Sequence, residues 1–538
     1  LNPSSAASDV YKRQVINNRY FYEKFNTTPF WAVHQMGRSA MKKMSRRSFF
    51  AGSTALGATS LFAVGMPKSI HASLAHVTLI VSGSGDEYTY NGKSPGPTLT
   101  LAPGGTLDVE LINDLPALHD DCTDDMNQFH GLNTTNLHTH GLHVSPTTDV
   151  TGTFDADNVF VSVNPKGQFV PCAEVCGTSV AETFRDHRNL FRFEIAEDHP
   201  SGTFWYHSHK HGAVQRQVAG GLIGPLIVPD RPGVMPAYIE QAQEQNFMMT
   251  NEGLVLVDPE GGGTLDPTLN LRPGEVQRWR IINAQASGQG GGNFARLTTN
   301  VPGLEMYQIA FDGLTLTRRI RVDQFDQDEP WMNPAALAPG NRMDLMVRVP
   351  LDARKHGFLG TIGTSISDGL SMGSSTEKMK LNIEIAGEPA DDLWSDDPDL
   401  PAPNFKAFDD TPLPTRRIDY QGGFRVDNEQ FTGKIKHVIP LGTEEEWTIE
   451  NSTSAVHAHH IHVNPFFVTH INGVELAKDD PLRRWQDTVA LPFSTNVGPG
   501  TITYKTRFET FTGKFVIHCH ILRHEDRGMM QTVEVVSA

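Results

Sequence analysis

The ten-residue stretch GGTLDVELIN, ending at Asn113, returns as GEVQRWRIIN ending at Asn283 and as GTEEEWTIEN ending at Asn451. Each copy carries a glycine nine residues before its asparagine, at Gly104, Gly274 and Gly442. Apolar residues stand five and seven positions after that glycine: Val109 and Leu111, Trp279 and Ile281, Trp447 and Ile449. Spacing by two places each pair on one face of a β-strand. The copies lie 170 and 168 residues apart, and a repeat that long is a whole domain. The pattern therefore predicts an all-β chain of three homologous β-sandwiches. Short alternating stretches at 77–80, 87–90 and 191–195 agree with it. Boundaries are expected near 230 and 400, giving domains at 76–230, 231–400 and 401–538, the second break marked by the acidic, proline-rich AGEPADDLWSDDPDLPAPN at 386–404.

Composition is in keeping with this. The length of 538 residues suits three domains, and 48 glycines with 34 prolines suit a turn-rich β protein. A formal net charge of −17 is the wrong sign for a phosphate-binding surface, so nucleic acid is not an expected partner. The first 75 residues read differently. SSAASDVYKRQ resembles translated sequencing adapter, so residues 1–35 or so are expected to be non-native, with the true start at Met41, or at Met36 or Met44. MKKMSRRSFFAGSTALGATSLFAVG then resembles a twin-arginine export signal: Arg46-Arg47 precede a weakly apolar run from 49 to 65 that is too short and polar to span a bilayer. SLA at 73–75 is one cleavage site. Residues 1–75 are thus expected to be leader plus signal peptide, and the mature protein periplasmic or secreted. Export permits a disulfide among Cys122, Cys172 and Cys176, with the connectivity open.

Of 23 histidines, the paired ones fall in four places. NLHTHGLHV holds His138 and His140; GTFWYHSHKHG holds His207 and His209; VHAHHIHVNPF holds His457, His460 and His462; FVIHCHILRHEDRGMM holds His518, His520 and His524. A single such pair arises by chance or as a pH-sensitive surface patch. Four at one spacing, confined to the outer domains, do not. In a strand, His518 and His520 share a face and Cys519 takes the other; His460 and His462 share a face that His457 opposes. Two back-to-back sites follow: one from Cys519, His457 and His524, the other from eight histidines in four HxH pairs. One peptide unit joins them. A thiolate with two imidazoles and a weak thioether is a copper set, with Met529 placed for the axial role and Met530 its rival. Zinc would accept the same ligands but has no redox use for the connection.

These residues resemble the three-domain multicopper oxidases: laccases, bilirubin oxidases, bacterial cuprous oxidases and ferroxidases. The motifs HTH, HSH, HxxHxH and HCHxxxHxxxxM are all present, and the resemblance runs from about residue 77 to the end. It implies three consecutive cupredoxin-like Greek-key domains and four copper ions. Cys519, His457 and His524, with Met529 axial, would bind type 1 copper. His138 and His460 would bind type 2, and His140, His207, His209, His462, His518 and His520 the type 3 pair. The implied reaction takes four electrons singly from a reducing substrate and reduces dioxygen to two waters. Protons would come from Glu525 and from Asp149 or Asp157, each matching some family members. His143, His211 and His459 lie off the ligand pattern, and Trp205 and Tyr206 are expected to be core. An axial methionine and the lack of a methionine-rich insert point to laccase-like oxidation of phenols or aromatic amines. Cuprous or ferrous ion is the alternative donor, and a non-enzymatic copper scaffold the rival class. A two-domain nitrite reductase is disfavoured by the three repeats. Asp487 is expected either beside the type 1 histidines, touching the donor, or as a strand-end cap. A monomer is expected.

Overall fold

The computed structural model describes residues 74–537, apart from 119–122, 124, 169–181, 267, 287–293, 324–328, 353–357, 368–375, 392, 402, 404 and 409–410. The expected leader and export signal, and Cys122, Cys172 and Cys176, lie outside the described residues.

Each repeat copy forms a strand: Thr106–Asn113, Val276–Asn283 and Thr443–Asn451. Each sits at the same place in its sheet. It runs parallel to an earlier strand (Leu74–Ser84, Gln243–Met249, Thr415–Gln421) and antiparallel to a later one (Arg188–Glu194, Arg342–Arg348, Gly500–Phe508). A second sheet accompanies each of these, built around Gly202–His207, Phe358–Ser367 and Gly513–Cys519. The apolar pairs of the repeat are all buried, each within its own hydrophobic core.

The two ends of the repeat have separate physical reasons. Gly104, Gly274 and Gly442 have φ of 74°, 75° and 86°, a left-handed turn that costs glycine nothing. The asparagines are fully buried staples. Asn113 Nδ2 donates to the Asn133 and Val163 carbonyls, Asn283 Nδ2 to that of Leu337, and Asn451 Nδ2 to those of Ala455 and Pro492. Each Oδ1 accepts the amide two residues on, from Leu115, Gln285 and Thr453. One side chain so ends the strand and ties it to backbone outside its own sheet.

The outer β-structures meet on the middle one through buried charge. Arg342 is completely buried. It grips Asp487 bidentately at 2.9 and 2.7 Å, lies 3.5 Å from Asp312, and donates Nε–H to the Thr203 carbonyl. Asp312 also accepts the backbone amides of Asp487 and Thr488. Burial alone would raise both carboxyl pKa values; Arg342 holds Asp487 well down, while Asp312, beside the charge of Asp487, is pushed up. Removing the guanidinium would leave two acids buried without their counter-charge. Arg342→Met is therefore expected to lower stability by about 3–5 kcal/mol, read as a reduced denaturant midpoint, with Arg342→Lys recovering part of it.

Candidate metal centre

Strand alternation places the last residues of Gly513–Cys519 on opposite faces. Cys519 turns into its own core and pairs in register with His459; His518 pairs with His460 and turns outward. On the Cys519 side, Sγ lies 3.5 Å from His457 Nδ1 and 3.6 Å from His524 Nδ1, and the two nitrogens are 3.2 Å apart. Cys519 is a free, fully buried thiol. Thr453 Oγ1 lies 2.9 Å from His457 Nε2, and its hydroxyl has acceptors in Asn451 Oδ1 and the Ala455 carbonyl, which leaves the oxygen to accept from Nε2–H. That fixes the proton of His457 on Nε2 and leaves Nδ1 bare toward the sulfur. Burial and the neighbouring His524 hold His457 far below the usual imidazole pKa, and burial with Arg523 takes His524 to about 4. Burial also pushes the thiol up to about 12, so only a cation at this point would keep it a thiolate. Met529 packs in the same core as Cys519, and its carbonyl accepts the Cys519 amide. Met530 packs elsewhere, with Val516 and Phe431.

On the far side eight imidazoles converge from the first and third β-structures. His209 Nε2 and His462 Nε2 lie 3.3 and 3.2 Å from His518 Nε2. Nitrogens of His138, His140 and His207, and of His138, His460 and His462, gather within 4.8 Å. The His520 ring is 4.8 Å from that of His140 and 5.6 Å from that of His207. Outer nitrogens are tied down: His138 Nδ1 by Asp157, His140 Nε2 by Asp487, His207 Nδ1 by the Ser208 carbonyl, His460 Nδ1 by the Asp487 carbonyl. Among the described residues the opposite nitrogens of these four, and both of His520, have no hydrogen-bond partner. Burial holds His138, His140, His462, His518 and His520 well below the usual pKa and takes His207 and His209 to about 3. Buried lone pairs aimed at one another without donors are costly, and cations remove that cost. The donor set fits copper: imidazoles throughout, with a single thiolate on the other face.

Carboxylates surround the cluster. Glu525, fully buried, has Oε2 3.0 Å from His518 Nδ1 and Oε1 3.5 Å from His209 Nδ1. Burial pushes it up to about 7, with His209 pulling the other way. Asp157 faces His138 at 2.9 Å, accepts the Thr139 amide at 2.8 Å, and is raised by burial to about 7. Asp149 is not brought to the histidines. It caps a surface turn, accepting the Thr151 hydroxyl and the Thr153 and Phe154 amides, and so sits below its usual pKa.

Asp487 stands at a strand end, between Trp485–Gln486 and Thr488–Leu491, and its carboxylate is not beside the Cys519 site. It lies on the eight-histidine side, against His140 at 3.1 Å and His460 at 3.4 Å, because Arg342 pulls it there. Trp205 is buried as expected but also stacks on His207, with ring centres 4.2 Å apart. His459 is held between the hydroxyls of Tyr420 and Tyr504. His143 spans the Val463 carbonyl and Thr510, and His211 meets Asn127.

Sequence reasoning missed several residues. Gly340, at φ 97°, lies where a Cβ would stand 3.0 Å from both His140 and His520. Asp526, pushed up to about 8 by burial and by Glu525, accepts the Gly212, Val214 and Gln215 amides. Asp526 is adjacent to a predicted acid and was within reach of motif reasoning. Gly340 and Arg342 meet the site only through the tertiary fold.

Residues 405–538 and 182–233 match the multicopper oxidase family. The multicopper oxidase of Staphylococcus haemolyticus is 25% identical over 482 residues, covering 83% of each chain. The laccase of Bacillus subtilis is 21% identical over 511 residues, covering 83% of this chain and 89% of its own. Among solved structures, a Campylobacter jejuni multicopper oxidase described as a metallo-oxidase is similar at a TM-score of 0.60 and 19% identity, covering 87% of this chain and 93% of that one. A laccase from Pediococcus acidilactici is similar at 0.59 and 20%, covering 88% and 92%. Two convergent donor sets back to back on one strand, in a fold shared with those structures, agree with the sequence matches, which identify multicopper oxidase domains at residues 182–233 and 405–538.

Proposed function

We propose that the protein oxidises a small donor, one electron at a time, at the Cys519 site and reduces dioxygen to water at the histidine site. Four copper ions are assigned. Cys519, His457 and His524, with Met529, would hold one, His138 and His460 another, and His140, His207, His209, His462, His518 and His520 the remaining pair. When bound, copper supplies the one-electron redox chemistry that imidazole and thiol lack. The observation that carries this function is the register of Gly513–Cys519, which sets Sγ on one face and the neighbouring imidazole on the other. The two sites are thereby joined through a single strand.

The chain's own groups supply the remainder. His524 is the one ligand of the Cys519 site with an edge in solvent, so the donor meets the protein there. Glu525 and Asp157 hold their protons near neutral pH through burial and stand against His518 and His138, positions from which they serve as general acids. A cavity of about 350 Å³, lined by His143, Trp485 and Phe511, reaches Asp487 from outside and gives water and dioxygen a way in. Laccase-like donors, phenols or aromatic amines, are assigned in keeping with the laccases among the relatives. Domains of 76–230, 231–400 and 401–538, a monomeric state, and twin-arginine export to the periplasm or medium complete the proposal. Among the described residues no helix is long and apolar enough to cross a membrane.

Cys519→Ser is expected to abolish the intense visible absorption of a copper–thiolate and all donor oxidation. The folded protein should retain three of its four coppers by metal analysis; an unchanged spectrum would reject the assignment. Glu525→Gln, which keeps shape but not the acid, is expected to slow oxygen consumption about 100-fold. Anaerobic bleaching of the visible band by donor should proceed at the wild-type rate.

A further inference from the structure

On the strand His457–Ile461, alternation puts His459 on the same face as His457, the one turned into the core of the third domain. A sandwich strand keeps that face apolar. His459 is nevertheless completely buried there, and it belongs to neither donor set. It pairs in register with Cys519, so the two side chains stand side by side, with Cβ atoms about 5 Å apart. A polar ring thus lies beside the thiol where an apolar one would pack.

The ring is held at both ends. Nδ1 lies 2.8 Å from the Tyr420 hydroxyl, and Nε2 lies 2.9 Å from that of Tyr504. Both tyrosines are completely buried and come from the facing sheet, on Thr415–Gln421 and Gly500–Phe508. Burial, with His460 and His518 nearby, keeps His459 well below the usual imidazole pKa. It therefore carries one N–H and one bare nitrogen. One hydroxyl donates to the ring and the other accepts from it. The accepting hydroxyl has a hydrogen left over, and among the described residues neither hydroxyl has a second hydrogen-bond partner. The charged groups that act on the tyrosines are the Cys519 sulfur and Asp427 at Tyr420, and Glu445 and Arg416 at Tyr504. Glu445 is itself occupied by Arg416 and by the Trp447 indole N–H. The triad is neutral, polar and free to turn a hydroxyl dipole, next to a site whose charge changes by one with each electron.

We infer that the Tyr420–His459–Tyr504 triad lowers the reduction potential of the Cys519 site and so confines the protein to electron-rich, readily oxidised donors; this rests on the oxidase function proposed above. The oxidised site carries one positive charge more than the reduced site. Dipoles that reorient stabilise the more highly charged state, whereas an apolar side chain in the same place leaves it unsolvated. Polarity and hydrogen bonding around a cysteine sulfur are levers on such a potential. His459 is a positioning residue: it acts through Cys519 and touches neither donor nor dioxygen. Each donor gives up one electron, four for each dioxygen, and the triad gains and loses neither electrons nor protons.

The test is a redox titration of the visible band of the copper-loaded protein against one-electron mediators. In His459→Phe the potential is expected to rise, shifting the equilibrium with the mediator about tenfold, which is about 59 mV for one electron. His459→Gln offers the two hydroxyls an acceptor and a donor and should stay within about twofold of the wild type. Tyr420→Phe keeps the ring, removes the hydroxyl on which the sulfur acts, and should move the potential the same way, so the test stands even where His459→Phe does not fold. Copper content and band position should be unchanged in every variant. In His459→Phe the kcat/KM for phenol relative to dimethoxyphenol should rise severalfold. A potential unmoved or lowered in Tyr420→Phe, or in folded His459→Phe, would overturn the inference. So would a shift accompanied by a displaced band, which reports moved ligands, or His459→Gln matching His459→Phe. A copper-loaded wild type without a visible band would instead overturn the assignment of the Cys519 site itself.

Discussion

Eight buried imidazoles packed with bare nitrogens turned toward one another are unfavourable neighbours unless something positive lies among them. The surrounding structure restrains the rings from turning away. Burial holds seven of them below the usual imidazole pKa. Carbonyls and carboxylates hold the outer nitrogens of His138, His140, His207 and His460. The inner lone pairs have nowhere else to point, and metal affinity is built from that frustration.

The middle domain, to which none of the proposed ligands belongs, supplies much of this restraint. Arg342 comes from its central sheet, Asp487 from the third domain, and the histidines Asp487 touches from the first and third. A buried ion pair adds little net stability by itself. Its use here is positional: one guanidinium fixes a carboxylate, and that carboxylate orients two rings from different domains. Gly340, on the same approach, lets the middle domain come within contact of His140 and His520.

How much of this was legible in the sequence depended on the length scale. The strand at each repeat and the opposite facing of Cys519 and His518 follow from period-two geometry within a few residues, and the structure shows both. The choice between Asp149 and Asp157 did not follow. The intervening loop doubles back, with Asp149 N–H bonded to the Phe154 carbonyl and Thr148 bridged to Asp155. The aspartate farther along the chain is thereby the nearer one to His138. The place of Asp487 stayed open for a similar reason. Its position is set by Arg342, 145 residues away, and no local pattern encodes that partner. The repeat's asparagines were noticed as markers, but their buried amide bonds to backbone outside their own sheets emerged only from the fold.

The register of Gly513–Cys519 has a mechanical corollary. Sulfur and imidazole are neighbours on one strand, so their connection crosses no domain boundary and survives any hinge motion that leaves the strand intact. The eight-histidine site, by contrast, is a seam between two domains. Under mild stress the seam would open first, parting the imidazoles of the two domains while the Cys519, His457 and His524 donors stay together within the third.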